Sequence, residues 1–326
     1  MVSTVLVVTG LEDVIADWVI AALNEREVPV VRVDPADIGT GLTFGARIGA
    51  GTASWGGLLR TASREVELGE VTAVYYRRPT SYAARYQHLS PQQREFAAAE
   101  ARHGLGGILN TLHGAVYVNH PAAVTRADFK PAQLQRFTEL GLSIPPTLVT
   151  NDVEAARTFA AEHGPVIYKT FRGLPPDEAG RTGAIWAQRI DPETFDDSLA
   201  VTAHLFQAEI PKTADVRVTV VGRRVFAQQI AAPDGALDWR RGDWDDLIHA
   251  PLTVPACIEA ALHSYLASFG LVFGCFDFAL TGDAVAPEHW TAIECNSNGQ
   301  WGWLPDSPAI TEAFADILSR KEAGPR

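Results

Sequence analysis

The sequence predicts an α/β domain followed by an α+β region, and three observations carry that prediction. The first is a strand–helix–strand rhythm at the N-terminus. Thr4 to Thr9 is an apolar run turned by Gly10, Asp13 to Arg26 repeats apolar residues at helical spacing, and Val28 to Val33 is a second strand ended by Asp34-Pro35. Strands joined through a helix pair in parallel, with the helix crossing over one face. The second observation is a change of pattern beyond Pro121, where this regular rhythm stops. The third is a pair of acid-bearing strands, Phe273 to Leu280 and His289 to Asn296, separated by a turn containing Gly282 and Asp283.

Between these landmarks the elements follow in order. Gly41 to Glu70 reads as a β-rich meander, and Val71 to Tyr76 as a strand running into Arg77-Arg78-Pro79. Gln92 to Leu112 is helical and Val116 to Val118 a short strand. Ala127 to Leu140 reads as one helix carrying Lys130 and closed by Gly141. Ile144 to Val149 is extended, Asn151-Asp152 caps another helix, and Pro165 to Phe171 is a strand carrying Lys169. A loop rich in Gly, Pro and charge, Arg172 to Gly183, has glycines that suit a mobile lid over phosphates. Strands are expected at Ala184 to Arg189, Leu205 to Ile210, Asp215 to Val221 and Arg224 to Ile230, then a helix at Ala256 to Phe269. The tail after Arg320 is expected to fray.

Composition narrows the class. With 47% hydrophobic and 20% charged residues the chain is a soluble globular protein rather than a disordered one. A formal charge of -12 argues against a nucleic-acid partner, so basic residues gathered in one place carry more weight. Three cysteines make neither a disulfide framework nor a zinc motif, which points to a reducing cytoplasm. The first ten residues lack a basic leading segment and a cleavage site, and no apolar run approaches the ~20 residues of a membrane span.

The C-terminal strand pair carries the clearest chemistry. Side chains alternate along a strand, so Glu294 and Asn296 share a face, and Asp277 lies near both if the strands pair. Three oxygen donors on rigid backbone suit Mg²⁺, which takes its remaining contacts from water and phosphates and so implies a nucleotide. Lys130 and Lys169 are candidate phosphate ligands; the plain alternative is a solvated lysine on a helix or an edge strand. The stretch Gln207 to Lys212 leaves a strand through Pro211, which frees backbone groups to read an adenine edge, with Glu209 and Lys212 near a ribose or phosphate. Arg217 shares a strand face with Asp215, and Arg240 follows in Asp238-Trp239-Arg240. Guanidinium forks bind phosphate and carboxylate, although for either arginine taken alone a structural salt bridge is the favoured reading. There is no Walker loop, no dinucleotide fingerprint, no histidine pair at metal spacing and no nucleophile elbow.

The ordered series of helix Lys, strand Lys, glycine-bearing loop, hinge, then Asp and Glu-x-Asn resembles the ATP-grasp superfamily. Closer still, Tyr76-Arg77-Arg78-Pro79, Asn119-His120-Pro121, Lys130-Pro-Ala-Gln133-Leu134, Ile144-Pro-Pro-Thr147, Asp215-Val-Arg217-Val-Thr and Asp238-Trp239-Arg240 resemble the ATP-grasp ribosomal peptide maturases, the graspetide synthetases of the microviridin type. The resemblance implies an N-terminal pre-ATP-grasp α/β domain over 1–120, a central subdomain with the lid over 121–205 and a C-terminal metal-bearing subdomain over 206–326. It implies that Lys130 and Lys169 touch the ATP phosphates, that Gln207, Glu209, Ile210 and Lys212 belong to the nucleotide-binding hinge, and that Asp277, Glu294 and Asn296 hold Mg²⁺. Arg217 and Arg240 then face the γ-phosphate and the carboxylate to be activated. The implied partner is a ribosomal precursor peptide with leader and core, and the family implies a homodimer. Two other classes stand beside this one: a ligase of the same fold that joins free amino acids or adds glutamates to a protein terminus, and a non-catalytic ATP-binding module.

Overall fold

The computed structural model describes residues 3–49, 51–173, 185–231, 237–241 and 246–320. Most of the expected lid loop, the start of the strand expected from Ala184 and the tail beyond Arg320 lie outside the described residues.

The N-terminal region begins with β1 (Thr4–Val8), α1 (Val14–Glu25) and β2 (Val30–Val33). The meander follows as β3 (Leu42–Gly49), β4 (Thr52–Thr61) and β5 (Glu65–Glu67), then β6 (Val71–Tyr76), α2 (Pro91–Leu109) and β7 (Val116–Val118). The order β2-β1-β6-β7 is parallel throughout. Strand β1 is buried at every position because both faces are covered. Val5 and Val7 pack with α1, while Leu6 and Val8 face α2 and the meander.

The central region comprises α3 (Pro121–Ala127), α4 (Lys130–Glu139), β8 (Thr147–Thr150), α5 (Val153–His163), β9 (Val166–Lys169), β10 (Gln188–Ile190) and β11 (His204–Ala208). The single helix expected over Ala127 to Leu140 is therefore two. Pro131 cannot supply an N–H inside a helix but suits a first turn, so the chain breaks at Asp128-Phe129 and restarts at Lys130. The restart puts Lys130 at a helix beginning, aimed across at the C-terminal sheet. Helix α5 starts where Asp152 accepts from the N–H groups of Glu154 and Ala155. The sheet order is β10-β9-β11-β8, so the Lys169 strand is internal. Strand β11 straddles the boundary expected at residue 205/206 and completes this sheet.

The third region holds β12 (Ala214–Val221), β13 (Arg224–Ala231), β14 (Ile248–Pro251), α6 (Ala256–Phe269), β15 (Phe273–Leu280), β16 (Trp290–Asn296) and α7 (Ser307–Leu318). Its order is β14-β13-β12-β15-β16, with every pairing antiparallel. Val216, Val218 and Val220 of β12 pack into a core with α4 and α6, leaving Asp215, Arg217 and Thr219 on the opposite face. Helix α7 was not expected, yet Ile310, Phe314 and Leu318 recur at helical spacing and seal the N-terminal core.

Asn119 ties the first region to the third. Its amide donates to the carbonyls of Phe273 (2.8 Å) and Ser297 (2.7 Å) and accepts from the N–H groups of Val272 (2.8 Å) and Phe273 (3.0 Å). All four bonds are spent on backbone beside the acid-bearing strands. Asn119→Ala leaves those buried groups unpaired, and each such group costs about 1–3 kcal/mol. A loss of roughly 3 kcal/mol or more in denaturant unfolding is the expected outcome.

Candidate active site

The acid-bearing strands pair in a register that places Asp277 opposite Glu294 and Cys275 opposite Asn296. Past that point Phe278 faces Ala292, so Ile293 is an extra residue, a β-bulge. The bulge has a consequence for both faces. Strict alternation would put Ala292 on the same side as Glu294, whereas here Ala292 and Trp290 enter the core with Phe278 and Leu280. Glu294, Asn296 and Asp277 remain together on the other side. Across the next strand Arg217 stands opposite Asp277, so a row of three charged groups crosses β12, β15 and β16.

This row is internally balanced. Arg217 donates from Nε to Asp277 Oδ1 (2.6 Å) and from Nη2 to Oδ2 (3.1 Å), with Nη1 on the carbonyl of Gln300 (3.1 Å). Its guanidinium lies 5.9 Å from the Trp239 ring and 5.7 Å from the Trp303 ring. Lys130 Nζ pairs with Glu294 Oε2. Asn296 Nδ2 donates to Glu294 Oε1 (3.2 Å) and Asp277 Oδ2 (3.4 Å). Burial works to raise the Glu294 carboxyl, but Lys130, Arg240 and Lys169 outweigh it and hold it well below the usual carboxylate range. At Asp277 burial acts first and Glu294 adds to it, so the carboxyl is pushed up in spite of Arg217.

Opposite this sheet, β9 and β11 supply the second wall. Lys169 Nζ has no hydrogen-bond or ion-pair partner among the described residues. Burial, with Lys130 and Arg240 nearby, lowers it to about 8 against the pull of Glu294 and Asp238. The unfolded chain therefore holds this proton more tightly between pH 8 and the ordinary lysine value. Ligand-free stability rises with pH across that window, and the cost of the buried ammonium is fully present below it. A polyphosphate bound beside it would restore the charge. Nucleotide binding just above pH 8 is expected to take up protons, measured by calorimetry in buffers of different ionisation enthalpy, and Lys169→Met should remove the uptake.

The hinge runs from Gln207 to Lys212. The N–H groups of Ala208 and Glu209 are taken by the carbonyls of Pro146 and Pro165 (2.9 Å each), whereas the Glu209 carbonyl and the Ile210 N–H make no hydrogen bond among the described residues. These two groups belong to one trans peptide and point to opposite sides, so either of them, but not both, could meet an adenine edge. Gln207 Nε2 donates to Thr147 Oγ1 (3.0 Å), and its buried Oε1 has no partner among the described residues. The hinge side chains are otherwise committed. Glu209 is held bidentately by Arg189 (2.6 and 2.7 Å) and does not line the cleft, and Lys212 is held by Asp215 (2.6 Å) and the Leu237 carbonyl (2.8 Å). Arg240 grips Asp238 through Nε and Nη2 (2.8 Å each), with Nη1 3.9 Å from Glu294 and its guanidinium 5.6 Å from the Trp186 ring.

These walls enclose a cleft of about 720 Å³. It brings together Lys130, Lys169, Gln207, Ile210, Lys212, Arg217, Arg240, Asp277, Glu294 and Asn296; Glu209 alone of the expected site residues is outside its lining. The salt bridges weighed as the plain alternative for both arginines are present, and both arginines still border the cleft. Sequence reasoning gave no role to Arg78 or Gln133 and missed the segment Ser297 to Trp303. Gln133 brackets Cys295, accepting from its N–H (3.0 Å) and donating to its carbonyl (3.0 Å), and so fixes the strand between Glu294 and Asn296. Gly299 allows that segment to lie against β15, because a Cβ there would sit 2.5 Å from Cys275 Cβ.

Two carboxylates and one amide fit a hard cation, because carboxylate and amide oxygens are the donors Mg²⁺ takes. The amide must turn over to offer Oδ1, and the lysine and arginine neighbours would then pass to phosphate oxygens. No cluster of three or more His, Cys, Asp or Glu that could hold a metal occurs among the described residues. No helix there is long and apolar enough to cross a membrane.

A triphosphate clasped between two antiparallel sheets, behind a parallel α/β domain, is the arrangement of ATP-grasp ligases, and the chain has that fold. Residues 4–125 match the family described as the MvdD pre-ATP grasp domain. The whole chain is similar to the RiPP-associated ATP-grasp ligase of Chryseobacterium gregarium, solved with ADP and a leader and core peptide. The two share 26% identity over 99% of this chain and 98% of that one, with a TM-score of 0.87. It is similar to macrocyclase MdnC of Microcystis aeruginosa, solved with precursor peptide MdnA, at 28% identity over 98% and 100% of the two chains and a TM-score of 0.84. Macrocyclase MdnB of the same organism shares 26% identity over 97% and 99%, with a TM-score of 0.77. No curated protein matches the chain. The chain has the fold of the ATP-grasp ligases that mature ribosomal peptides, and the likeness to them runs over its full length.

Proposed function

We propose that this enzyme uses ATP to activate Asp or Glu side chains of a ribosomally made precursor peptide and joins them to Thr, Ser or Lys side chains of the same peptide, closing ester or amide macrocycles. The observation that carries this reading is the full-length likeness to two ligases solved with their peptides. The site chemistry supports it. In the first step a peptide carboxylate oxygen attacks the γ-phosphorus of ATP, the bond to the β-phosphate oxygen breaks, and ADP leaves. In the second step the hydroxyl or amine attacks the acyl carbon, the bond to the phosphate oxygen breaks, and inorganic phosphate leaves.

The first step sets a carboxylate against a polyanion. At about 4 Å and an effective dielectric of about 20, each unit repulsion costs about 4 kcal/mol. Lys130 and Lys169 are assigned to the phosphates, Arg217 and Arg240 to the γ-phosphate and the carboxylate it approaches, and the Gln207–Lys212 hinge to adenine, largely through its backbone. Asp277, Glu294 and Asn296 would hold Mg²⁺, whose chemistry is to bridge phosphate oxygens and neutralise charge as it develops. For the proton released in the second step, Asp215 is the better-suited acceptor. Burial raises its carboxyl to about 6 against the pull of Lys212, while Arg240 holds Asp238 low despite burial.

The same reading keeps three units, with the hinge strand shared between the second and third. It has the enzyme working in the cytoplasm as a homodimer; two buried free cysteines and one exposed fit a reducing compartment. A heavy-oxygen label placed in the peptide carboxylates tests the chemistry. Label appearing in the released phosphate is expected. Label retained wholly in the peptide would exclude an acyl phosphate.

A further inference from the structure

Among the described residues seven cationic and five acidic side chains line the cleft, in a chain whose total charge is -12. Four of the cations are matched one to one with acids: Lys130 with Glu294, Lys212 with Asp215, Arg217 with Asp277, and Arg240 with Asp238. Lys169 sits between the two grasping sheets and is assigned to phosphate above. Arg172 adjoins the stretch that is not described. Arg78 differs from all of these, because it enters the cleft from the end of β6 in the N-terminal sheet.

Its backbone is fixed on both sides. The Arg78 carbonyl accepts from Gly10 N–H (3.0 Å) and from the Thr9 hydroxyl (3.5 Å). Buried Arg77 before it is tied to Asp13 (2.8 Å) and to Gln300 Oε1 (2.7 Å), and Pro79 follows. The Arg78 guanidinium is exposed to the cleft and spends one donor, Nη2, on the carbonyl of Asn298 (3.3 Å). It has no acidic partner among the described residues. A rigid mount whose fork spends one donor on Asn298, two residues past Asn296, is suited to an anion that arrives from outside.

We propose that Arg78 receives the peptide carboxylate that is to be phosphorylated, and so determines which acid of the substrate reaches the γ-phosphate. This rests on the function proposed above. Lys130 of α4, Lys169 and the two arginines assigned above gather where the γ-phosphate meets its acceptor, and Arg78 on the third wall is placed to seat the incoming carboxylate before that transfer. A guanidinium engages a carboxylate through two parallel N–H bonds, a geometry that lysine lacks. Burial and the neighbouring Arg77 cation both disfavour the charge on Arg78, and an incoming carboxylate relieves that.

The test uses the full-length enzyme, ATP, Mg²⁺, an acid-rich precursor peptide and hydroxylamine, which traps an acyl phosphate as a hydroxamate. R78Q is expected to lower hydroxamate formation about 10- to 100-fold, the range for a hydrogen bond to a charged group. Affinity for ADP with Mg²⁺ should be unchanged, which also reports an intact fold. R78K keeps the charge without the fork and should recover part of the loss. Wild-type hydroxamate yield and peptide KM in R78Q would overturn the inference alone, as would ADP affinity falling in step with turnover. A wild-type enzyme that forms no hydroxamate with any acid-bearing peptide would overturn the proposed function and this inference with it.

Discussion

Glu294→Gln is expected to lower ADP-forming turnover by roughly 10²- to 10³-fold, the loss typical of removing one fixed charge from a preorganised site. Glu294 is where the two proposed roles of the cleft meet. Its carboxylate pairs with Lys130, lies 3.9 Å from Arg240, accepts from Asn296, and stands opposite Asp277. The amide keeps the shape of the side chain, so β16 and its bulge are retained, but the negative charge is gone. Without it the cation set loses one of its two carboxylates, and Lys130 loses the partner that orients it. Steady-state ADP release at saturating Mg²⁺, with thermal unfolding to check the fold, reads this out. Unchanged turnover would remove Glu294 from the site.

The largest expected effect on stability comes from Arg217. It is 5% exposed, it neutralises Asp277 with two hydrogen bonds, and it lies beside two adjacent tryptophan rings. Removing one member of such a pair strands the other charge in a poorly solvated place, which costs about 3–5 kcal/mol. Arg217→Ala should therefore lose about that much in denaturant unfolding. The double variant Arg217→Leu, Asp277→Leu should regain most of it, because an apolar pair leaves no unpaired charge, while turnover stays absent. If the single variant were as stable as wild type, the ion pair would not be a structural element of the sheet.

Much of this site was legible from alternation alone. The strand Phe273–Leu280 begins and ends where its apolar run does, and the shared face of Glu294 and Asn296 follows from their spacing. The bulge at Ile293 was not legible, because nothing in Thr-Ala-Ile-Glu departs from an ordinary strand; only the pairing with β15 exposes the extra residue. Arg217 and Asp277 are 60 positions apart, so their partnership is a property of register. Two misses had signals. Lys130-Pro131 marks a helix start, which splits the helix drawn through it. Ser307-Pro308 followed by Ile310, Phe314 and Leu318 marks α7. The brackets made by Asn119 and Gln133 are tertiary throughout, and their local sequence carries no sign of them.

The claim on which the rest depends is that this cleft closes rings within one peptide. Mass spectrometry of a ribosomal precursor peptide after incubation with the enzyme, ATP and Mg²⁺ tests it most directly. The account predicts the loss of one water mass for each ring formed, with stoichiometric ADP. A gain equal to an added amino acid, or ADP release with no change in peptide mass, would contradict it.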